Sequence, residues 1–216
     1  MIRGDLNGVD KLDIPKKTIY RLSIYSRCLK RLLENGIETV SSNPLASAAG
    51  VKPAQLRKDL AYLGSFGKRG LGYPVALLID SIHEKLGRVT LQPVILVGVG
   101  NLGRALLRYD GFLKEGFEVK AAFDIDANVV GKTHFPTPVL HEDKMADFVS
   151  ENGIKMAIIC VPAQYGQGVA NQLVDAGVLG ILNFSAAVLK VPEEVIVTRV
   201  DLAMELENLS YFIDQK

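Results

Sequence analysis

The sequence predicts an α/β protein in which a winged helix-turn-helix domain precedes a Rossmann-like, doubly wound parallel sheet. Three observations carry this reading. A continuous apolar run, Val94-Ile95-Leu96-Val97, passes directly into Gly98-Val99-Gly100-Asn101-Leu102-Gly103 and then into a helical stretch, which is strand, tight turn and helix in immediate succession. Upstream, two short helical segments are separated by Gly50-Val51-Lys52 and followed by a glycine-rich basic loop, the pattern of a helix-turn-helix with a wing. The formal net charge of +1 also hides an asymmetry: residues 1–90 hold 15 Lys/Arg against 8 Asp/Glu, and residues 91–216 hold 10 against 16. A chain of 216 residues, 48% hydrophobic and 23% charged, has room for two small domains. The expected divisions are 1–90, 91–200 and a closing helix over 201–216.

The elements follow in order. Residues before Pro15 are polar and read as frayed, and they lack the apolar core of a signal peptide. Pro15 suits a helix start. From there Ile19, Leu22, Ser26, Leu29 and Leu33 recur at steps of three and four, one face of a helix that Asn35-Gly36 stops. Ser41, Ser42 and Asn43 offer caps for a short helix over residues 44–49, with Pro44 in its first turn. Pro53 opens the next helix, with Leu56, Leu60 and Leu63 as its inner stripe and Gly64 as its stop. Residues 64–73 contain four glycines with Lys68 and Arg69, a hairpin or loop with a basic tip. Residues 74–86 read as a connecting helix and 87–93 as a linker.

Beyond Pro93 the pattern becomes strand, helix, strand. The run 94–97 suits a parallel strand buried on both faces, and the helix after the glycines is expected to reach about Leu113. Further strands are expected over 119–123, 156–161, 180–184 and 195–197, with a helix closing at 173–177. Alternating strands and helices imply a doubly wound sheet. Leu202, Leu206, Leu209 and Ile213 form a strong stripe on the last helix.

The glycine segment assigns roles by spacing. Gly98 permits the tight turn, Gly100 admits a pyrophosphate to the backbone, and Gly103 lets helix and strand approach. The helix N-terminus then faces the phosphates. Asp124 lies 21 residues after Gly103 and ends the next strand. A carboxylate there accepts both ribose hydroxyls of an adenosine and repels a 2′-phosphate. Ile125 follows it, so no Arg adjoins it to welcome NADP, and Asp126 is the rival acceptor. Cys160, Val161 and Pro162 end a strand on the side where open α/β sheets bind ligands. Cys160 reads as a buried small hydrophobe in preference to a thiol sensor.

Other classes find little support. A dehydrogenase needs an acid or base near the nicotinamide, yet the only histidines after the glycines, His134 and His141, fall in a Pro-containing loop and read as surface residues without partners. No catalytic residue is assigned. Cys and His never cluster, so no metal site is expected. No apolar run reaches ~18 residues, which indicates no membrane span. Cys28 and Cys160 form no disulfide framework, and a reducing cytoplasm is the expected location.

In the basic half, the second helix of the motif would place its first residues near base edges in a major groove. Gln55 can pair with adenine, and Arg57 or Lys58 with guanine or phosphate. Asp59 orients these bases or balances charge. Basic residues on the wing can enter a narrow minor groove.

Here the chain resembles the Rex family of redox-sensing transcriptional repressors. The resemblance rests on Gln55-Leu56-Arg57-Lys58-Asp59-Leu60-Ala61-Tyr62-Leu63-Gly64-Ser65-Phe66-Gly67-Lys68-Arg69-Gly70-Leu71-Gly72-Tyr73, on the glycine segment, on Phe123-Asp124-Ile125-Asp126, on Val161-Pro162 and on Asn183-Phe184, and it spans residues 14–213. It implies a homodimer that binds a palindromic double-stranded operator through a winged helix, with Lys52, Gln55, Arg57, Lys58, Ser65, Phe66, Lys68, Arg69 and Tyr73 at the DNA. It implies a domain that binds NADH and NAD+ through residues 98–103, Asp124, Ile125, Cys160, Val161, Pro162, Asn183, Phe184 and Ser185, with NADH releasing the DNA. It further implies that the last helix is exchanged between subunits, and that Arg21, Tyr109 and Asp201 form an interdomain polar network. Family members often carry Pro where this chain has Ala186. The reading from another class is an NAD(H)-dependent oxidoreductase with a helical appendage, and a third is a CoA- or nucleotide-binding accessory subunit.

Overall fold

The structure, a computed structural model, describes residues 14–64, 72–131 and 135–213. It divides into two compact units, Met1–Thr90 and Leu91–Lys216.

The first unit is helical. Helix α1 (Lys16–Glu34) is followed by strand β1 (Thr39–Val40), α2 (Ser42–Ala48), α3 (Pro53–Leu60) with a 3-10 turn over Ala61–Leu63, β2 (Tyr73–Pro74) and α4 (Val75–Lys85). Leu22, Tyr25, Leu29, Leu45, Leu56, Leu60, Leu78 and Ile82 are buried together in one core. The inner face of α1 differs from the expected stripe. Thr18, Leu22, Tyr25, Ser26 and Leu29 are buried, whereas Ile19 is half-buried and Leu33 is exposed. Thr18 and Tyr25 escape an apolar count because each carries a hydroxyl, and both hydroxyls bond to Asp59. Ser26 is satisfied by His83 Nε2 at 2.9 Å. Strand β1 was not expected, since two residues show no periodicity. It pairs antiparallel with β2, Val40 opposite Tyr73. Residues 65–71, with the wing residues Ser65, Phe66, Lys68 and Arg69, lie outside the described residues.

The second unit is built on six parallel strands. These are β3 (Gln92–Val97), β4 (Phe117–Asp124), β5 (Val139–His141), β6 (Met156–Ile159), β7 (Gly180–Asn183) and β8 (Ile196–Arg199). Their order is β5-β4-β3-β6-β7-β8, all pairs parallel. The chain therefore starts in the middle of the sheet, builds outward to one side, and crosses back to build the other. Helices α5 (Asn101–Leu107), α6 (Gly111–Lys114), α7 (Met145–Glu151), α8 (Ala163–Asp175) and α9 (Leu202–Ile213) complete the unit. The continuous apolar run of β3 is buried on both faces: Ile95 and Val97 join one core cluster, Val94 and Leu96 the other.

Three expectations are corrected. The linker is shorter than 87–93, because Gln92 and Pro93 already pair with β4, while β6 pairs with β3 only from Val94 onward. Proline's missing N–H is tolerated at such a strand start. The helix expected to reach Leu113 ends at Leu107 and resumes as α6. The break falls at Tyr109, whose ring occupies the space a Cβ on Gly111 would need. Strand β5 and helix α7 went unrecognised, one being three residues long and the other seven. His141 consequently ends a strand; its ring pairs with Asp143 at 3.0 Å. His134 lies outside the described residues. Among the described residues no helix is long and apolar enough to cross a membrane, and no His/Cys/Asp/Glu group could hold a metal ion.

Candidate functional site

The centre of the second unit is where the strand order reverses, between β3 and β6. In open α/β sheets, ligands bind beyond the carboxyl ends of strands at that reversal. The glycine turn lies there. Gly98 has φ +96°, and a Cβ on it would sit 2.8 Å from the Cys160 carbonyl carbon and oxygen. Only glycine combines that conformation with that approach. A Cβ on Gly103 would overlap the Gly98 carbonyl, so helix α5 folds tightly back on the turn. Gly100 is the N-cap of α5, and nothing lies within 4 Å of where its Cβ would be. The backbone there is open to an approaching group, and the first-turn amides of a helix have no intrahelical acceptor.

Asp124 ends β4 beside this turn. Its carboxylate accepts the Val99 N–H at 2.6 Å and the Asp126 N–H at 2.9 Å. It thus pins the turn and still keeps lone pairs for a ligand. Asp126, the rival, folds onto Asn128 through both the backbone and side-chain amide of that residue. Ile125 is 60% exposed between them, an apolar surface beside the carboxylate. Asn101 and Leu102 are exposed on the first turn of α5, whereas Val99 is buried.

On the other side of the reversal, Cys160 donates its N–H to Val97 and its thiol is pushed up to about 12 by burial. It stays protonated at neutral pH, which favours packing over thiol chemistry. Pro162 is the N-cap of α8. Asn183 and Ser185, expected to meet a cofactor, turn their polar atoms inward. The Asn183 amide oxygen accepts the Ser185 N–H at 2.9 Å and its hydroxyl at 2.7 Å, and the amide nitrogen donates to Ala187 at 3.0 Å. Both residues are buried; they brace the loop after β7. Phe184, half-buried, borders the same apolar cluster as Cys160 and Phe112. A clasp that sequence reasoning missed secures this loop further on: Gln167 accepts the Lys190 N–H at 2.8 Å and donates to the Lys190 carbonyl at 2.9 Å. A lone Gln on a helix gives no signal of such a role.

In the first unit, α2, the turn at Gly50 and α3 form the helix-turn-helix. Lys52 is the N-cap of α3 and is exposed, as are Arg57 and Lys58. Tyr73 is half-buried, its hydroxyl 3.2 Å from that of Ser42. Gln55 is half-buried and donates its amide to Asp59 at 2.9 Å. Asp59, read as an orienter of nearby bases or a charge balance, is 1% exposed. Its carboxylate accepts from Arg21 Nε at 2.6 Å, a second Arg21 nitrogen at 2.7 Å, Tyr25 at 2.8 Å, Gln55, and Thr18 at 3.3 Å. Burial alone would raise the Asp59 carboxyl, but the Arg21, Tyr25 and Gln55 bonds outweigh it and hold the group below the usual carboxylate range.

The three residues expected in an interdomain network each have partners within their own unit. Arg21 is committed to Asp59. Tyr109 is 57% exposed and packs edge-on against Phe112, ring centres 5.2 Å apart. Asp201 accepts the Ala203 and Met204 N–H groups at the start of α9 and pairs with Arg199 at 2.7 Å. Helix α9 itself has no buried residue: Leu202, Leu206, Leu209 and Ile213 are all exposed, with Met204, Tyr211 and Phe212.

Comparison with known proteins adds independent findings. Residues 13–61 match the family described as "Putative DNA-binding protein N-terminus", and residues 89–187 match "CoA binding domain". The chain is 50% identical over 200 residues to the redox-sensing transcriptional repressor Rex of Carboxydothermus hydrogenoformans, covering 93% of this chain and 96% of that one. It is 46% identical over 203 residues to the protein of the same name from Streptomyces coelicolor, covering 94% and 79%. Among solved structures, RSP in complex with β-NAD+ and operator DNA aligns with a TM-score of 0.87 at 36% identity, covering 94% of this chain and 93% of that one. RSP in complex with β-NADH aligns at 0.83 with 34% identity, covering 94% and 95%.

Proposed function

This chain belongs to the Rex family of redox-sensing transcriptional repressors, and from that premise we propose that it is a homodimeric cytoplasmic repressor whose operator affinity follows the NADH/NAD+ ratio. It binds palindromic DNA through α3 and the wing, and NADH releases it. It is not an enzyme: its relatives are named as repressors. The observation that carries the cofactor assignment is the glycine turn. The open backbone at Gly100, in a turn that the Asp124 carboxylate pins at the Val99 N–H, fits a dinucleotide pyrophosphate with a ribose beside it.

The redox preference follows from charge. The oxidised nicotinamide ring is cationic and the reduced ring neutral, and burying an unpaired charge is costly. Phe184 follows β7 at the carboxyl end of the sheet and packs, half-buried, against an apolar cluster. Such a surface admits the reduced ring more readily. Asn183 and Ser185 serve this site by holding the loop that carries Phe184. A dinucleotide that favours one arrangement of the dimer must weaken DNA binding by the factor by which DNA weakens its own.

Operator affinity at fixed salt, measured with NADH, with NAD+ and with neither, tests this directly. NADH should weaken binding about 5–150-fold, the usual span of allosteric coupling, and NAD+ should leave it near the unliganded value. Equal affinity in all three conditions would overturn the redox-sensor reading.

Cofactor choice has its own test. Asp124→Ala should weaken NADH by about 1.5–3 kcal/mol, the contribution of hydrogen bonds to a charged group, and narrow the gap to NADPH by removing the repulsion. Calorimetric titration of both dinucleotides reads this. An unchanged NADH/NADPH preference would transfer the role to Asp126 or to the backbone.

A further inference from the structure

The first unit holds a buried charge that neither its core nor its DNA surface explains. Asp59 is on α3, the proposed recognition helix, between the exposed Arg57 and Lys58 and the buried Leu60. Its donors Thr18, Arg21 and Tyr25 occupy three successive turns of α1, and Gln55 adds one from α3 itself. An isolated buried carboxylate is costly, and replacing a buried ion pair as a whole by well-packed apolar residues is often neutral or stabilising. Stability therefore gives little reason for the arrangement. Geometry gives one: apolar side chains let two helices slide and rotate, whereas a two-point guanidinium–carboxylate pair fixes distance and angle together. Tyr25 places a third donor on the same carboxylate.

We propose that Asp59, clamped by Arg21 and Tyr25, is a positioning residue for operator recognition, fixing the rotation of α3 against α1 so that Arg57 and Lys58 meet base edges in register. The assignment rests on α3 being the recognition helix. Asp59 touches no DNA in this scheme and acts through the helix that carries it. Gln55 belongs to the clamp, its amide already engaged within the domain.

Charge and positioning give opposite signs for Asp59→Asn. The substitution makes a basic domain more basic, so electrostatics alone would tighten DNA binding. Loss of the clamp should weaken operator binding about 5–150-fold, the equivalent of one misplaced bidentate base contact. Affinity for a random duplex and the salt slope should hold or rise, because the phosphate-facing charges are intact. Tyr25→Phe removes one clamp bond at constant charge and keeps the ring in the core, so it serves if Asp59→Asn does not fold. It should show a smaller loss of the same kind. NADH affinity and the melting of the second unit should not change in either variant.

Operator and random-duplex titrations across salt, with Arg57→Ala as reference, separate the outcomes. If Arg57→Ala lowers operator affinity while a folded Asp59→Asn and Tyr25→Phe both bind like the parent, the clamp is refuted and the recognition helix stands. If Arg57→Ala changes nothing, α3 is not the recognition helix and the proposal falls with it. A parallel loss of operator and random-duplex affinity in Tyr25→Phe would also refute positioning.

Discussion

Removing the residues after Val200 should cost about 10²–10⁴-fold in affinity for a palindromic operator, the avidity that linking two modules supplies, and should convert the dimer to monomers. Every residue of α9 is exposed on the isolated chain, including seven large apolar or aromatic ones. Contiguous exposed apolar surface of this kind marks a protein–protein interface, and a second copy of the chain is the partner that a palindromic target requires. Two recognition helices reach successive major-groove faces only when the dimer sets them one helical turn apart, about 34–36 Å. Without α9 each half-site must be bound separately. The truncation leaves both units intact, because α9 buries no residue of its own and the Val200 N–H bond to the Asn183 carbonyl is retained. Sedimentation velocity, with titration of a full operator against a single half-site, measures both effects. A truncated chain that stays dimeric, or that prefers the full operator as strongly as the parent does, would place the dimer contact elsewhere.

How much of this was legible in the sequence depended on what each feature needs. The central strand was legible because burial on both faces leaves an unbroken apolar run, and the glycine turn because backbone approach at Gly98 and Gly103 admits no other residue. Asp124 was legible from spacing, though its bond to the Val99 N–H was not. Short edge elements were illegible: β1 and β5 contain two and three residues, too few for alternation to show. Polar residues facing inward were illegible for a different reason. Tyr25, Asp59, Asn183 and Ser185 are buried because of partners 34 residues away, as for Tyr25 and Asp59, or within the same loop, as for Asn183 and Ser185. Nothing in composition separates a paired polar residue from a solvated one. Gln55 takes an outward role from its residue type and Arg21 an interdomain one from the family resemblance; in the structure both bond to Asp59.

The last large effect concerns the turn itself. Gly103→Ala should abolish the response to NADH while preserving repression, so that the coupling of about 5–150-fold expected for the parent falls to near unity. The added methyl would overlap the Gly98 carbonyl oxygen, with the carbonyl carbon at 3.0 Å and Leu96 Cδ2 at 3.3 Å. Backbone cannot swing aside as a flexible side chain can, so either α5 retreats from the turn or Gly98 shifts. Gly98 cannot shift freely: its N–H is bonded to the Phe123 carbonyl, and the Cys160 backbone closes its other side. Withdrawal of α5 is what remains. That carries Asn101 and Leu102 away from the proposed phosphate position and pulls against the Val99 N–H bond to Asp124, so the proposed pyrophosphate and ribose contacts should fail together. The winged unit has its own core and its DNA surface is untouched. The variant should therefore bind operator like the unliganded parent at any NADH concentration. Fluorescence anisotropy of labelled operator titrated with NADH, with calorimetry for the dinucleotide, gives the answer. A variant that binds NADH weakly but still releases DNA at saturation would show that the turn sets affinity alone and that coupling resides elsewhere in the dimer.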